Sequence, residues 1–151
     1  PSNPHVKGTD RIITMMAQVR TAHRFDYSTT RLPHPEHLQR IAKSDIYVEL
    51  FAPQQGAREY GCYGVTAFEA AAMGRVVVTQ NLHPEIYEEE YGSCPFILAE
   101  SESDFVAKMD YLLNMPTTEL RDRQTKHYMK MKEYHNHYET GLRILNYLNK
   151  P

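Results

Sequence analysis

The chain reads as an α/β protein: a parallel sheet flanked by helices, followed by a helical C-terminal tail. Three observations carry that expectation. Short β-branched segments alternate with segments of helical periodicity, the order that builds βαβ crossovers. Val76-Val77-Val78 is an unbroken β-branched triplet, suited to a strand buried on both faces. Between them lies Gly64-Val65-Thr66-Ala67-Phe68-Glu69-Ala70-Ala71-Ala72-Met73, an alanine-rich helical run closed by Gly74.

Each element follows from its residues in order. Residues 1–8 (PSNPHVKG) are dense in turn formers and are expected to be neither helix nor central strand. Ile12, Ile13, Met15, Met16 and Val19 recur at helical spacing, with Thr9 or Asp10 as the expected cap. Residues 24–28 (RFDYS) alternate like a half-buried strand. Pro35 stands where proline starts helices well, opening a helix through Leu38, Ile41 and Ala42. Residues 45–51 (DIYVELF) form the next strand, and Pro53, Gly56 and Gly61 mark a loop after it.

After the alanine-rich helix and the 75–79 strand come a polar helix at 84–91 and a short strand at 95–98. The acidic run Glu88-Glu89-Glu90 is expected on a solvated helix face. Residues 101–114 carry Phe105, Val106, Met109, Leu112 and Leu113 on one helical face. Met115-Pro116 breaks that helix; Thr117 or Thr118 caps another, running to Tyr134. A last helix holds Leu142, Ile144, Leu145 and Leu148. Met15, Met16, Met109, Met129 and Met131 are expected as packing residues. Four strands are countable, and the chain opens on a loop of the kind that follows a strand. A doubly wound sheet grows outward from its first strand, so a central strand upstream of Pro1 is expected.

Composition narrows the classes. At 151 residues, 41% hydrophobic and 24% charged, the chain suits a single folded domain. A net charge of -2 gives no basic footprint for nucleic acid. No apolar run reaches the roughly 18 residues of a membrane span, and no signal-peptide pattern opens the chain. Cys62 and Cys94 are too few for a disulfide scaffold, which points to a reducing compartment. A cytoplasmic protein is expected, with peripheral attachment to a membrane left open.

The stretch with most chemical content is residues 60–78. Gly61 and Gly64 let the backbone run close to a ligand, and the amides of Gly64, Val65 and Thr66 open a helix, where unpaired donors suit an anion. Glu69 lies about one and a half turns further on. It would repel the same phosphate but could accept two hydrogen bonds from a vicinal diol such as a ribose. The same spacing also fits plain packing at Gly64 and a solvated charge at Glu69. Elsewhere, His34 and His37 could share a helix face, without a third ligand at convincing spacing for a metal. His135 and His137 point to different faces. There is no phosphate-loop lysine motif and no full dinucleotide fingerprint. Cys62 reads as a packing or lining residue.

Gly61-Cys62-Tyr63-Gly64 through Glu69-Ala70, then Gly74-Arg75-Val76-Val77-Val78, resembles the donor-binding signature of GT-B glycosyltransferases, closest to the retaining, nucleotide-sugar-dependent group 1. The usual form is E-G-F-G-x-x-x-x-E-A-x-A-x-G-x-P-V-V; a subset carries G-W-Y-G, and this chain is nearer that subset. Flanking stretches are similar too: Pro1-Ser2-Asn3, Lys7-Gly8-Thr9-Asp10, Leu32-Pro33-His34-Pro35-Glu36, Ala42-Lys43-Ser44-Asp45-Ile46 and Tyr91-Gly92-Ser93-Cys94-Pro95-Phe96. The resemblance covers nearly the whole chain, but only one of the family's two Rossmann-like domains.

What it implies is a donor-binding C-terminal domain spanning residues 1–151, lacking its first strand and the N-terminal acceptor domain. Glu69 would hold the ribose hydroxyls, and the loop residues Gly61 and Tyr63 would line the donor site. Gly64, Val65 and Thr66 would contact the diphosphate, whose developing charge Lys7 would neutralise. The donor is then a nucleotide diphosphate sugar, no metal or other cofactor is needed, and the acceptor is an unspecified glycan, lipid or protein. Association with an N-terminal domain or with further copies of the chain is open. The chain departs from the signature in two places. Gly61 stands where the first glutamate usually is, with Glu59 two residues away, and the arginine that often accompanies the lysine falls near Pro4. The alternatives are a non-catalytic nucleotide-binding or assembly module of Rossmann-like fold, and a flavodoxin-like regulatory domain, which lacks its usual acidic cluster here.

Overall fold

The computed structural model describes residues 4–52, 54–55, 58–59, 61, 63–80 and 83–149. It is a mixed α/β fold built on a three-stranded parallel sheet flanked by helices. The sheet comprises β1 (Ile46–Val48), β4 (Val76–Thr79) and β5 (Ile97–Leu98), in the order β1-β4-β5. Register pairs Ile46 with Val76, Val48 with Val78 and Val78 with Ile97. β4 is central, and all four of its residues are fully buried, as its β-branched triplet requires.

The helices are α1 (Pro4–Lys7), α2 (Thr9–Met16), α3 (His34–Ile41), α4 (Val65–Ala72), α5 (Pro84–Tyr91), α6 (Glu102–Asn114), α7 (Thr117–Tyr134) and α8 (His137–Leu148). They cover both faces of the sheet. On one side Met15 and Met16 of α2 and Phe105, Met109 and Leu112 of α6 pack with Val76 and Val78. On the other, Ala67, Ala70 and Ala71 of α4 meet Val77, Ile41 and Met131. Alternation along β1 follows suit: Ile46 and Val48 join the first cluster and Tyr47 the second. The alanines let α4 lie close on the sheet, and Gly74, in the left-handed region (φ 70), closes it. No helix among the described residues is long and apolar enough to cross a membrane.

Several expectations need correction. Pro4–Lys7 is a helical turn, because proline is pre-organised for a first helical position and Gly8 (φ 66) ends the turn at once. Gly8 rather than Thr9 or Asp10 is the N-cap of α2, and Pro116 rather than a threonine precedes α7. Ser101 does cap α6, accepting the Asp104 N–H at 3.1 Å. Residues 24–28 are not a strand. Alternation makes a segment fit a sheet face, but a strand exists only through a neighbour's hydrogen bonds, and among the described residues β1 pairs with β4 alone. Phe25 instead packs against the first cluster and stacks on Tyr27, ring centroids 5.5 Å apart. The 53–61 loop contains a two-residue hairpin, β2 (Gln54–Gln55) against β3 (Arg58–Glu59). Met129 is 53% exposed, outside the core that takes the other four methionines. In α8 no residue is buried; its leucines face outward.

Candidate functional site

Parallel strands point all their carboxyl ends the same way, and the loops leaving those ends form the crevice where open α/β sheets bind ligands. Here that edge is made by Glu49 and Leu50 after β1, Gln80 after β4 and Ala99 after β5. The ladder continues through them: Glu49 N–H donates to Val78 O (2.9 Å), Gln80 N–H to Leu50 O (3.1 Å) and Ala99 N–H to Thr79 O (2.8 Å).

Lys7 reaches this edge from the end of α1. Its carbonyl accepts the Phe51 N–H at 3.1 Å, and Gly8 follows so tightly that a Cβ there would collide with the Phe51 carbonyl oxygen. The Lys7 ammonium forms an ion pair with the Glu49 carboxylate. The Glu49 side chain is completely buried, whereas Lys7 retains 17% exposure. Glu49 Oε2 is buried too and makes no hydrogen bond of normal geometry among the described residues.

The two glycines of the signature make room for the protein's own side chains, the packing alternative that the spacing had left open at Gly64. A Cβ on Gly64 would collide with Glu49 Oε1 and come within 2.9 Å of Lys7 Nζ. A Cβ on Gly61, whose φ of +145 already disfavours a side chain, would collide with the Gln80 amide. Gly64 is the N-cap of α4, and among the described residues no side chain caps that helix. The first-turn amides of α4, the Lys7 ammonium and the Glu49 carboxylate therefore share one small volume at the sheet edge. Val65 is 75% exposed, and Thr66 is half-buried. Tyr63 anchors the loop from below, its ring meeting Phe96 (5.1 Å), Tyr87 (5.5 Å) and Phe68 (6.1 Å) edge-on.

Further along α4, Glu69 keeps 27% exposure, and its Oε1 lies 2.8 Å from His34 Nε2 at the start of α3. The acid is therefore held at the surface rather than turned into bulk solvent. One turn on in α3, His37 Nε2 lies 3.4 Å from the Tyr47 hydroxyl. Burial and the Glu49 charge push the Tyr47 phenol far above its ordinary range, so it is a neutral donor, and burial holds His37 below the usual histidine value. The two α3 histidines thus take separate partners, His34 with Glu69 and His37 with Tyr47. Glu69 also borders a groove of about 430 Å³ between α4 and α7, together with Phe68, Met131 and His135.

Lys7 meets Gly64 at the sheet edge, whereas Glu69 stands more than a turn further along α4 with His34 as its partner. Cys62 and the Pro1-Ser2-Asn3 stretch lie outside the described residues. Cys94 is a free thiol, half-buried, with its pKa raised by burial. Sequence reasoning missed Glu49 and His34 as parts of this constellation. The available signal was modest: Tyr47 and Glu49 alternate onto the face of β1 that α4 must cover. No protein-family model, no curated protein and no solved structure matches this chain.

Proposed function

We propose that this chain is the nucleotide-sugar-binding, Rossmann-like half of a GT-B glycosyltransferase of the retaining type. The observation that carries the reading is the meeting of Lys7 with Gly64. These residues are distant in sequence and were assigned to one diphosphate by the resemblance alone, and the Lys7 ammonium stands against the first turn of α4. Glu69, on the same helix, keeps an accessible carboxylate.

In this reading the diphosphate lies across the first-turn amides of α4 and the Lys7 ammonium. Transfer of the sugar leaves negative charge on the diphosphate, and a fixed cation with oriented amides stabilises that charge without reorganisation. Glu69 accepts hydrogen bonds from the ribose diol; a carboxylate has about four acceptor positions, so it can keep His34 as well. A second domain would supply the acceptor, a glycan, lipid or protein. One observation favours a second reading, a module that binds nucleotide without transferring sugar: Glu49 already neutralises Lys7, and Gly61 stands where the usual acid would be.

Titration calorimetry with UDP, GDP and ADP tests the proposal. One of the three should bind, and Glu69→Ala should weaken it by roughly a hundredfold or more, the loss of two hydrogen bonds to a charged acceptor. A folded chain that binds none of them overturns the assignment. Binding without turnover of the matching nucleotide sugar, in a chain joined to its acceptor domain, selects the module.

A further inference from the structure

Glu49 is a charged group at the sheet edge that a diphosphate site does not call for. It is a fully buried carboxylate, paired with the very cation a phosphate would use, pressed against Gly64 and with Oε2 making no normal hydrogen bond among the described residues. Buried carboxylates are held by partners; here Lys7 is the ion-pair partner, and the Tyr47 phenol interacts with the same carboxylate. We infer that Glu49 is a resident counter-anion: it occupies Lys7 when the site is empty and sets the affinity threshold that any diphosphate must overcome. The inference rests on reading the mouth of α4 as a diphosphate site.

Two effects oppose each other. Glu49 holds the lysine in place, and releasing one lysine side chain weakens binding by about tenfold. Glu49 also presents a unit negative charge beside the place a phosphate would take, and at a separation of about 5 Å and an effective dielectric of about 20 this weakens binding by over a hundredfold. Repulsion wins, so Glu49 acts as a competitor more than as a positioning aid. The device favours ligands with the charge of a diphosphate over singly charged anions, which cannot displace a carboxylate from an ammonium. It also keeps the site electrically neutral when empty.

The test uses the full chain and inorganic pyrophosphate beside the nucleoside diphosphates. Glu49→Gln, which keeps the shape and removes the charge, should bind pyrophosphate about tenfold more tightly than the parent chain. Pyrophosphate bound by the variant alone, while the parent chain still binds one nucleoside diphosphate, would support the inference most directly. Equal or weaker binding overturns it, while the function proposed above stands if the parent chain binds and Lys7→Met does not. If neither chain binds any diphosphate, both readings fall. Should Glu49→Gln not fold, the parent chain decides: the carboxyl carbon resonance of Glu49 must move as pyrophosphate saturates, and a stationary resonance overturns the inference.

Discussion

Acidification should expose the role of His127 at the edge of β4. Val77 N–H faces the side of β4 on which β5 begins pairing only at Val78, so among the described residues it has no strand acceptor. His127, 4% exposed on α7, fills the gap: its Nδ1 accepts the Val77 N–H at 3.3 Å, and the ring donates to the Arg75 carbonyl. Both bonds need the neutral imidazole protonated at Nε2. Burial, with the nearby Arg123 charge, pushes its pKa down to about 4 from 6.5. The folded state therefore binds fewer protons than the unfolded one, and the contribution is complete above pH 6.5. It is lost as pH falls from 6.5 towards 4. Linkage makes the loss about 2 kcal/mol between pH 7 and 5, and about 3 kcal/mol by pH 4. Urea denaturation of the parent chain and His127→Gln at pH 7 and 5 isolates it, since glutamine can make both bonds without titrating. The variant's stability should fall by about 2 kcal/mol less than the parent's over that interval. An equal fall in both chains would refute the assignment of the proton to His127.

Two further outcomes concern packing. Gly64→Ala should destabilise by about 1–3 kcal/mol, because its Cβ collides with the Glu49–Lys7 pair. In a Glu49→Ala background the penalty should shrink, a coupling that a double-mutant cycle in denaturant reads directly. Phe105→Ala removes a fully buried ring at the centre of the first cluster and should cost about 3–5 kcal/mol, visible as a shifted denaturation midpoint at constant slope.

What the sequence determined by itself is local. Three successive valines specify a buried strand wherever the chain places them, because the β-branched side chains suit a pleated, two-sided surface. The alanine run and Gly74 define α4 and its end, because helix propensity and left-handed closure act within a few residues. Helical spacing at Phe105, Met109 and Leu112 likewise marks the face that becomes core. Tertiary structure decided everything that depends on two distant segments meeting. The alternating 24–28 segment lacks the neighbour that would make it a strand. The apolar residues of α8 carry helical spacing yet find no core. Glu49 ends a strand as many exposed glutamates do, and only its contact with Lys7, 42 residues away, makes it a buried partner. A carboxylate's environment is set by whatever packs over it, and in this chain that is the backbone of Gly64.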